Sequence, residues 1–150
     1  MVGTCEFMDI VNTIGFPNYG YGRIMKVGRE EMVGLYSAVK QYLSLDHIKR
    51  HEWCEAEVEK IVKNFRNSKL FNVSRSFPNE AGQPIPRAQI DIVDEVTKFD
   101  DVYNFLINRE KGIYVMEEGT NIFYINPMTL YPGEVEEIIV ALNEFSERRK

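Results

Sequence analysis

The stretch at residues 71–92, FNVSRSFPNEAGQPIPRAQIDI, decides the fold. Phe71, Val73 and Arg75 alternate with Asn72 and Ser74, and Ala88, Ile90 and Ile92 alternate with Gln89 and Asp91. A period of two sends successive side chains to opposite faces, so both runs read as half-buried strands. Between them lie Pro78, Pro84 and Pro86, which mark a turn-rich excursion and not a continuing strand.

Toward the N-terminus the period lengthens. Met32, Tyr36, Val39 and Leu43 fall at i, i+4, i+7 and i+11, one stripe of a helix. Cys54, Val58, Ile61, Val62 and Phe65 make a second stripe. No Pro or Gly interrupts residues 35–73, so a long helical arm is expected, with Asp46 either capping a new helix or lying in a bend. Further upstream an apolar stretch at 7–14 precedes GFPNYGYGR at 15–23. Its three glycines, one proline and one asparagine predict a loop with special backbone angles. No stable element of its own is expected before residue 28.

Toward the C-terminus, Phe99, Val102, Tyr103 and Leu106 return to helical spacing, with Thr97 as the expected N-cap. GIYVMEEGTNIFYIN at 112–126 reads as two central strands joined by a turn at 117–120. Val135, Ile138, Ile139, Leu142 and Phe145 form the apolar stripe of a last helix, with Pro132 at its first position. Its glutamates lie near the start and Arg148, Arg149 and Lys150 at the end, as the helix dipole favours. The order predicts an α+β fold: a long N-terminal helical arm, then a β-β-α-β-β-α sandwich.

The chain has 150 residues, 18 Lys+Arg against 23 Asp+Glu, and a formal charge of −5. That balance opposes nonspecific binding to nucleic acid or an anionic membrane. Apolar runs are too short to span a bilayer, which takes about 20 residues. The start MVGTCEFMDIVN has no basic n-region, so a soluble, cytoplasmic chain is expected. Two cysteines, Cys5 and Cys54, make neither a disulfide framework nor a zinc pattern. Cys54 fits an apolar stripe and reads as a structural thiol.

Candidate chemistry is sparse. His47 and His51 have the i, i+4 spacing of a metal pair, without a third ligand nearby in sequence, so no metal site is assigned. Asp91, Asp94, Glu95, Asp100 and Asp101 cluster near a strand end; oxygen-rich clusters suit Mg²⁺ or Ca²⁺, but acids there more commonly cap. Gly20-Tyr21-Gly22 opens a GxGxxG that Met25 fails to close. Arg23, Lys26 and Arg29 flank the glycine-rich loop ahead of a helix start, an arrangement that suits a phosphate or carboxylate. A hinge needs the same glycines, and both readings stand. Arg87, after Pro86 at a strand start, reads either as a simple edge-strand cation or as a contact to an anion.

Residues 22–35, GRIMKVGREEMVGL, resemble the GR-x-MKVGKEE-x-x-GL stretch of pyridoxal-phosphate enzymes related to selenocysteine synthase, the L-seryl-tRNA(Sec) selenium transferase. The nearest branch contains D-glucosaminate-6-phosphate ammonia-lyase. Pro17-Asn18, Asp46 and Trp53 fit that branch, as does Asn126-Pro127 with Leu130, Pro132, Gly133 and Glu134, which is similar to its NP-x-x-L-x-PGE ending. Arg29 stands where lysine is usual and Ile24 where proline is common.

The resemblance covers essentially the whole chain and implies the small C-terminal domain of a fold-type I enzyme. Residues 1–28 would be the large-domain tail and hinge loop, and 29–150 the small domain with its connecting helix. The Schiff-base lysine would precede the matched block; Lys26 does not match it. No catalytic residue is therefore assigned, and no pyridoxal phosphate is expected on this chain alone. Arg23, Lys26 and Arg87 remain as substrate or phosphate contacts. The implied partners are a large pyridoxal-phosphate-binding domain, in the same or a separate chain, and further copies of the chain. The expected function is the C-terminal part of a lyase or transferase acting on an amino-acid or amino-sugar-acid substrate. The alternative is a stand-alone, non-enzymatic α+β binding or regulatory module.

Overall fold

A computed structural model describes residues 3–149. The chain divides into two compact units, residues 1–45 and 46–150.

The first unit holds two helices, α1 (Cys5–Ile14) and α2 (Arg29–Ser44), joined by the glycine-rich loop. The expectation of no stable element before residue 28 is corrected by α1. Thr4 supplies what pattern alone did not reveal: its hydroxyl accepts from the Phe7 N–H and caps the first turn. The loop also departs from expectation, because among its glycines none has a positive φ. Gly20 is required instead by contact, since a Cβ there would strike the Ile14 backbone. The Gly22 N–H donates to the Ile14 carbonyl at 3.0 Å and closes the loop on the end of α1.

The second unit begins with α3 (His47–Phe65). Of the two readings of Asp46, capping holds: its carboxylate accepts from the Lys49 N–H at 3.1 Å while Leu45 is extended, so the arm is two helices. Three strands follow, β1 (Phe71–Ser76), β2 (Arg87–Ile92) and β3 (Ile122–Ile125), with α4 (Phe99–Ile107) before β3 and α5 (Glu134–Arg148) after it. The sheet is antiparallel in the order β1-β2-β3. Mixed helices and a small sheet agree with the α+β expectation.

Three details differ from the sequence reading. Residues 113–116 form no strand; only an isolated Glu117–Phe123 bridge survives, so the sheet has three strands and β3 lies at an edge. The Ile113 N–H donates back to the Leu106 carbonyl at the end of α4, which uses it outside any ladder. Thr97 does not cap α4. The cap residue is Lys98, whose N–H donates to the Asp101 carboxylate, while Thr97 is buried against Asp94. Finally, α5 starts two residues after Pro132, because Gly133 at φ 96° turns the chain and the Glu134 carboxylate takes the Tyr131 N–H.

The core follows from the strand period. Ala88, Ile90 and Ile92 of β2 face the same side as Phe71, Phe123 and Ile125, against Val58, Ile61 and Phe65 of α3 and the apolar stripes of α4 and α5. Phe65 meets Phe71 edge to face at 5.8 Å between ring centres, and Phe99 lies 5.9 Å from Phe123. No described residue from 3 to 45 is buried. Among the described residues no helix is long and apolar enough to cross a membrane.

Candidate functional site

The strand period that buries Ala88 and Ile90 sends Arg87, Gln89 and Asp91 to the other face of β2, the face without core. There a polar chain crosses the sheet. Asn72 Nδ2 donates to Asp91 at 3.3 Å, and Gln89 Nε2 to the same carboxylate at 2.7 Å. The Tyr124 hydroxyl donates to Gln89 Oε1 at 3.2 Å. The Tyr124 ring lies 3.9 Å from the Arg87 guanidinium carbon, within cation–π range.

Arg87 ends this chain of contacts and is the buried cation among the described residues, 5% exposed. The edge-strand reading is overturned, because β2 is the central strand. Two carboxylates meet one nitrogen: Nη1 lies 2.7 Å from Glu80, and 3.1 Å and 3.4 Å from the two oxygens of Glu118. Nε is buried without an acceptor among the described residues. A buried donor left unpaired costs roughly 1–3 kcal/mol. The group lines a cleft of about 410 Å³ together with Tyr124, Asn126, Lys111 and Tyr114, within the size range of small-ligand sites.

Both carboxylates are positioned by turns. Glu80 follows Asn79, which is buried; its Oδ1 accepts from the Ala81 and Gln83 N–H groups, and its Nδ2 donates to Gln83 Oε1. Glu118 sits where the Glu118 N–H donates to the Ile122 carbonyl, in a turn that carries Gly119 and Asn121 at positive φ. Sequence reading found Arg87 and missed Glu80, Glu118 and Tyr124. The Asn79-x-x-Gly82 turn and the register of β2 against β3 were the available clues.

Arg23 and Lys26 lie in the 1–45 unit. Arg23 Nη1 donates to the Pro17 carbonyl, and its guanidinium stacks 4.1 Å from the centre of the Tyr19 ring. Lys26 Nζ lies 5.4 Å from the centre of the Phe16 ring, which Arg23 also approaches. The helix start beside them carries Glu30 and Glu31 in its first turn, and Glu31 folds over Gly28. These two acids oppose a phosphate there.

The other candidates have structural work. Asp94 accepts from the Thr97 hydroxyl at 2.5 Å and its N–H at 2.9 Å, and these bonds, the hydroxyl's foremost, hold its carboxyl below the usual range. Asp101 caps α4 and pairs with Arg149 at 2.9 Å. His51 pairs with Glu55 at 3.7 Å. Burial pushes the Cys54 thiol up, which makes it a poor nucleophile. Among the described residues no three His, Cys, Asp or Glu gather as metal ligands.

Pyridoxal phosphate requires a lysine desolvated enough to form an imine. All eight described lysines are exposed. Lys60 and Lys111 have their pKa values raised, chiefly by hydrogen bonds to Glu136 and Glu137 respectively. These residues do not fit the coenzyme's imine.

A layered α+β unit with one polar sheet face and a buried arginine defines the class. No protein-family model and no curated protein matches the chain. A solved structure of a D-glucosaminate-6-phosphate ammonia-lyase is similar to it, with a TM-score of 0.58 and 24% sequence identity over 87% of this chain. The likeness shows a shared fold. The chain spans 35% of that lyase chain.

Proposed function

We propose that this chain is the C-terminal part of a pyridoxal-phosphate-dependent lyase or transferase acting on an amino-acid or amino-sugar-acid substrate, and that it does not catalyse by itself. The observation that carries the reading is the structural likeness to the ammonia-lyase over 87% of this chain and 35% of the lyase. The GRIMKVGREEMVGL block supports it independently. The exposed lysines support placing the imine-forming residue in another domain.

In this reading the 46–150 unit contributes recognition. Arg87 offers a buried positive charge, stacked on the Tyr124 ring, to an anionic group of the substrate. Arg23 and Lys26 lie on the segment leading from the large domain. Helices α1 and α2, which bury none of their described residues, pack on that large domain and on further copies of the chain.

A chimaera tests this. In it, the present chain replaces the matching 35% of the ammonia-lyase. The reading predicts a soluble chimaera that retains pyridoxal phosphate, whereas the isolated chain with added coenzyme releases no ammonia from amino acids or amino-sugar acids. Turnover by the isolated chain overturns the proposal.

A further inference from the structure

We propose that residues 113–116 are a strap that zips onto the outer edge of β3 as a fourth strand and closes the cleft beside Tyr124. The motion rests on backbone geometry alone. Its meaning as a lid rests on the reading of that cleft as the substrate site, and adds the means of closing it.

Backbone parity defines the register. The Asn121 carbonyl accepts from the Ile92 N–H of β2 at 3.0 Å, so Phe123 and Ile125 also direct their backbone groups toward β2, while Ile122 and Tyr124 direct theirs away. That outer edge is engaged at one end only, where the Glu118 N–H donates to the Ile122 carbonyl and Glu117 bridges Phe123. Continuing the same pairing sets Met116 opposite Tyr124, Val115 opposite Ile125 and Tyr114 opposite Asn126. Asn126 is extended, at φ −107° and ψ 104°, and prolongs the edge by one residue. Among the described residues, the N–H groups of Tyr114, Val115 and Met116 donate no hydrogen bond.

The side chains already obey this register. Ile113 and Val115 pack against the core that buries Phe123 and Ile125, while Tyr114 and Met116 are 76% and 72% exposed. That alternation is a strand's, and a slip of one residue would reverse it. Only the ladder bonds are missing.

Both rows line the cleft of about 410 Å³: Tyr114, Val115 and Met116 from the strap, and Tyr124, Ile125 and Asn126 from the edge. Zipping draws the rows to the ladder spacing of about 4.8 Å. It brings Met116 beside Tyr124, on the face where the Tyr124 ring stacks on the Arg87 guanidinium. The strap is tethered at both ends, by the Glu117 bridge and by the Ile113 N–H on the Leu106 carbonyl, so only residues 114–116 have to move. An open strand edge favours the change, because its unpaired groups gain partners.

The test uses the full isotope-labelled chain and Met116→Pro, which removes the N–H that would meet the Tyr124 carbonyl. Relaxation dispersion reads exchange between the open and zipped forms, and a nuclear Overhauser contact between the Val115 and Ile125 Hα atoms reads the register. Wild type is expected to show that contact and one shared exchange process at Tyr114, Met116 and Tyr124. Met116→Pro is expected to lose both while Ile90 keeps its amide protection. A neutral gadolinium chelate reads the lid: it should broaden the Tyr124 and Asn126 amide signals about twofold more in the variant than in wild type. Flat dispersion without the contact overturns the strap. Flat dispersion with the contact at full strength shows a permanent fourth strand and overturns the movement. Exchange with equal broadening in the two proteins overturns the closure of the cleft. Tyr114→Pro takes the place of Met116→Pro should the latter fail to fold. No readout needs coenzyme or substrate, so failure of the strap leaves the lyase reading standing, and failure of the chimaera leaves the strap.

Discussion

Glu55 shows how a single side chain ties the stability of the second unit to pH. The Arg75 guanidinium grips its carboxylate through Nε at 2.8 Å and Nη2 at 2.5 Å, and that hydrogen bonding, ahead of all else, holds its pKa below the ordinary 4.5. A depressed folded-state pKa contributes stability that is present above the unfolded value and is lost as pH falls through the folded one. Glu136 and Glu144 are shifted the same way by Lys60 and Arg109. Denaturation midpoints should therefore hold steady from neutral pH to about 5 and drop below the carboxylate range. Glu55→Gln should flatten part of that drop, and an unchanged acid limb in this variant would count against the pairing. In the core, Phe123 is fully buried and touches Phe99. Phe123→Ala should cost about 3–5 kcal/mol by urea denaturation.

At the level of elements, the boundary between α2 and α3 rests on Asp46. Removing its carboxylate leaves the Lys49 N–H without its cap, so Asp46→Ala should lower stability by about 1 kcal/mol and fray the start of α3. Amide exchange at Ile48 and Lys49 reads this locally; unchanged protection there would show that the cap is dispensable. How far the sequence foretold the elements depends on the interactions that make them. Helices α3 and α5 and strands β1 and β2 bury one regular face, and periodicity reports that directly. Helix α1 hangs on a threonine cap and buries nothing, so its apolar residues read as a bare stretch. The missing strand at 113–116 is a tertiary outcome: Ile113 spends its N–H on α4, which composition cannot show. Arg87 was legible as a cation after a proline. Its burial was not, because that depends on Tyr124, Glu80 and Glu118, which lie 37, 7 and 31 positions away in the sequence.

For the whole molecule, the two units differ in kind. Residues 46–150 enclose a continuous apolar core spanning three helices and three strands. Residues 3–45 enclose none, and exposed side chains such as Phe7, Ile10, Ile24, Met25, Val33 and Leu35 line its helices and loop. Apolar surface on that scale drives association, so light scattering should report a mass above that of one chain, falling as the protein is diluted. A concentration-independent monomer would contradict the expectation of further copies. Limited proteolysis should release the first unit early and leave 46–150 intact, because a segment without a core opens locally at little cost.

Under the proposed function the imine-forming lysine resides outside this chain, and equilibrium dialysis of the chain against pyridoxal phosphate measures that most directly. The predicted result is no stoichiometric coenzyme retained once dialysis is exhaustive, since the described lysines are all exposed and those with shifted pKa values are shifted upward. One equivalent retained as an imine on a lysine of this chain would contradict it.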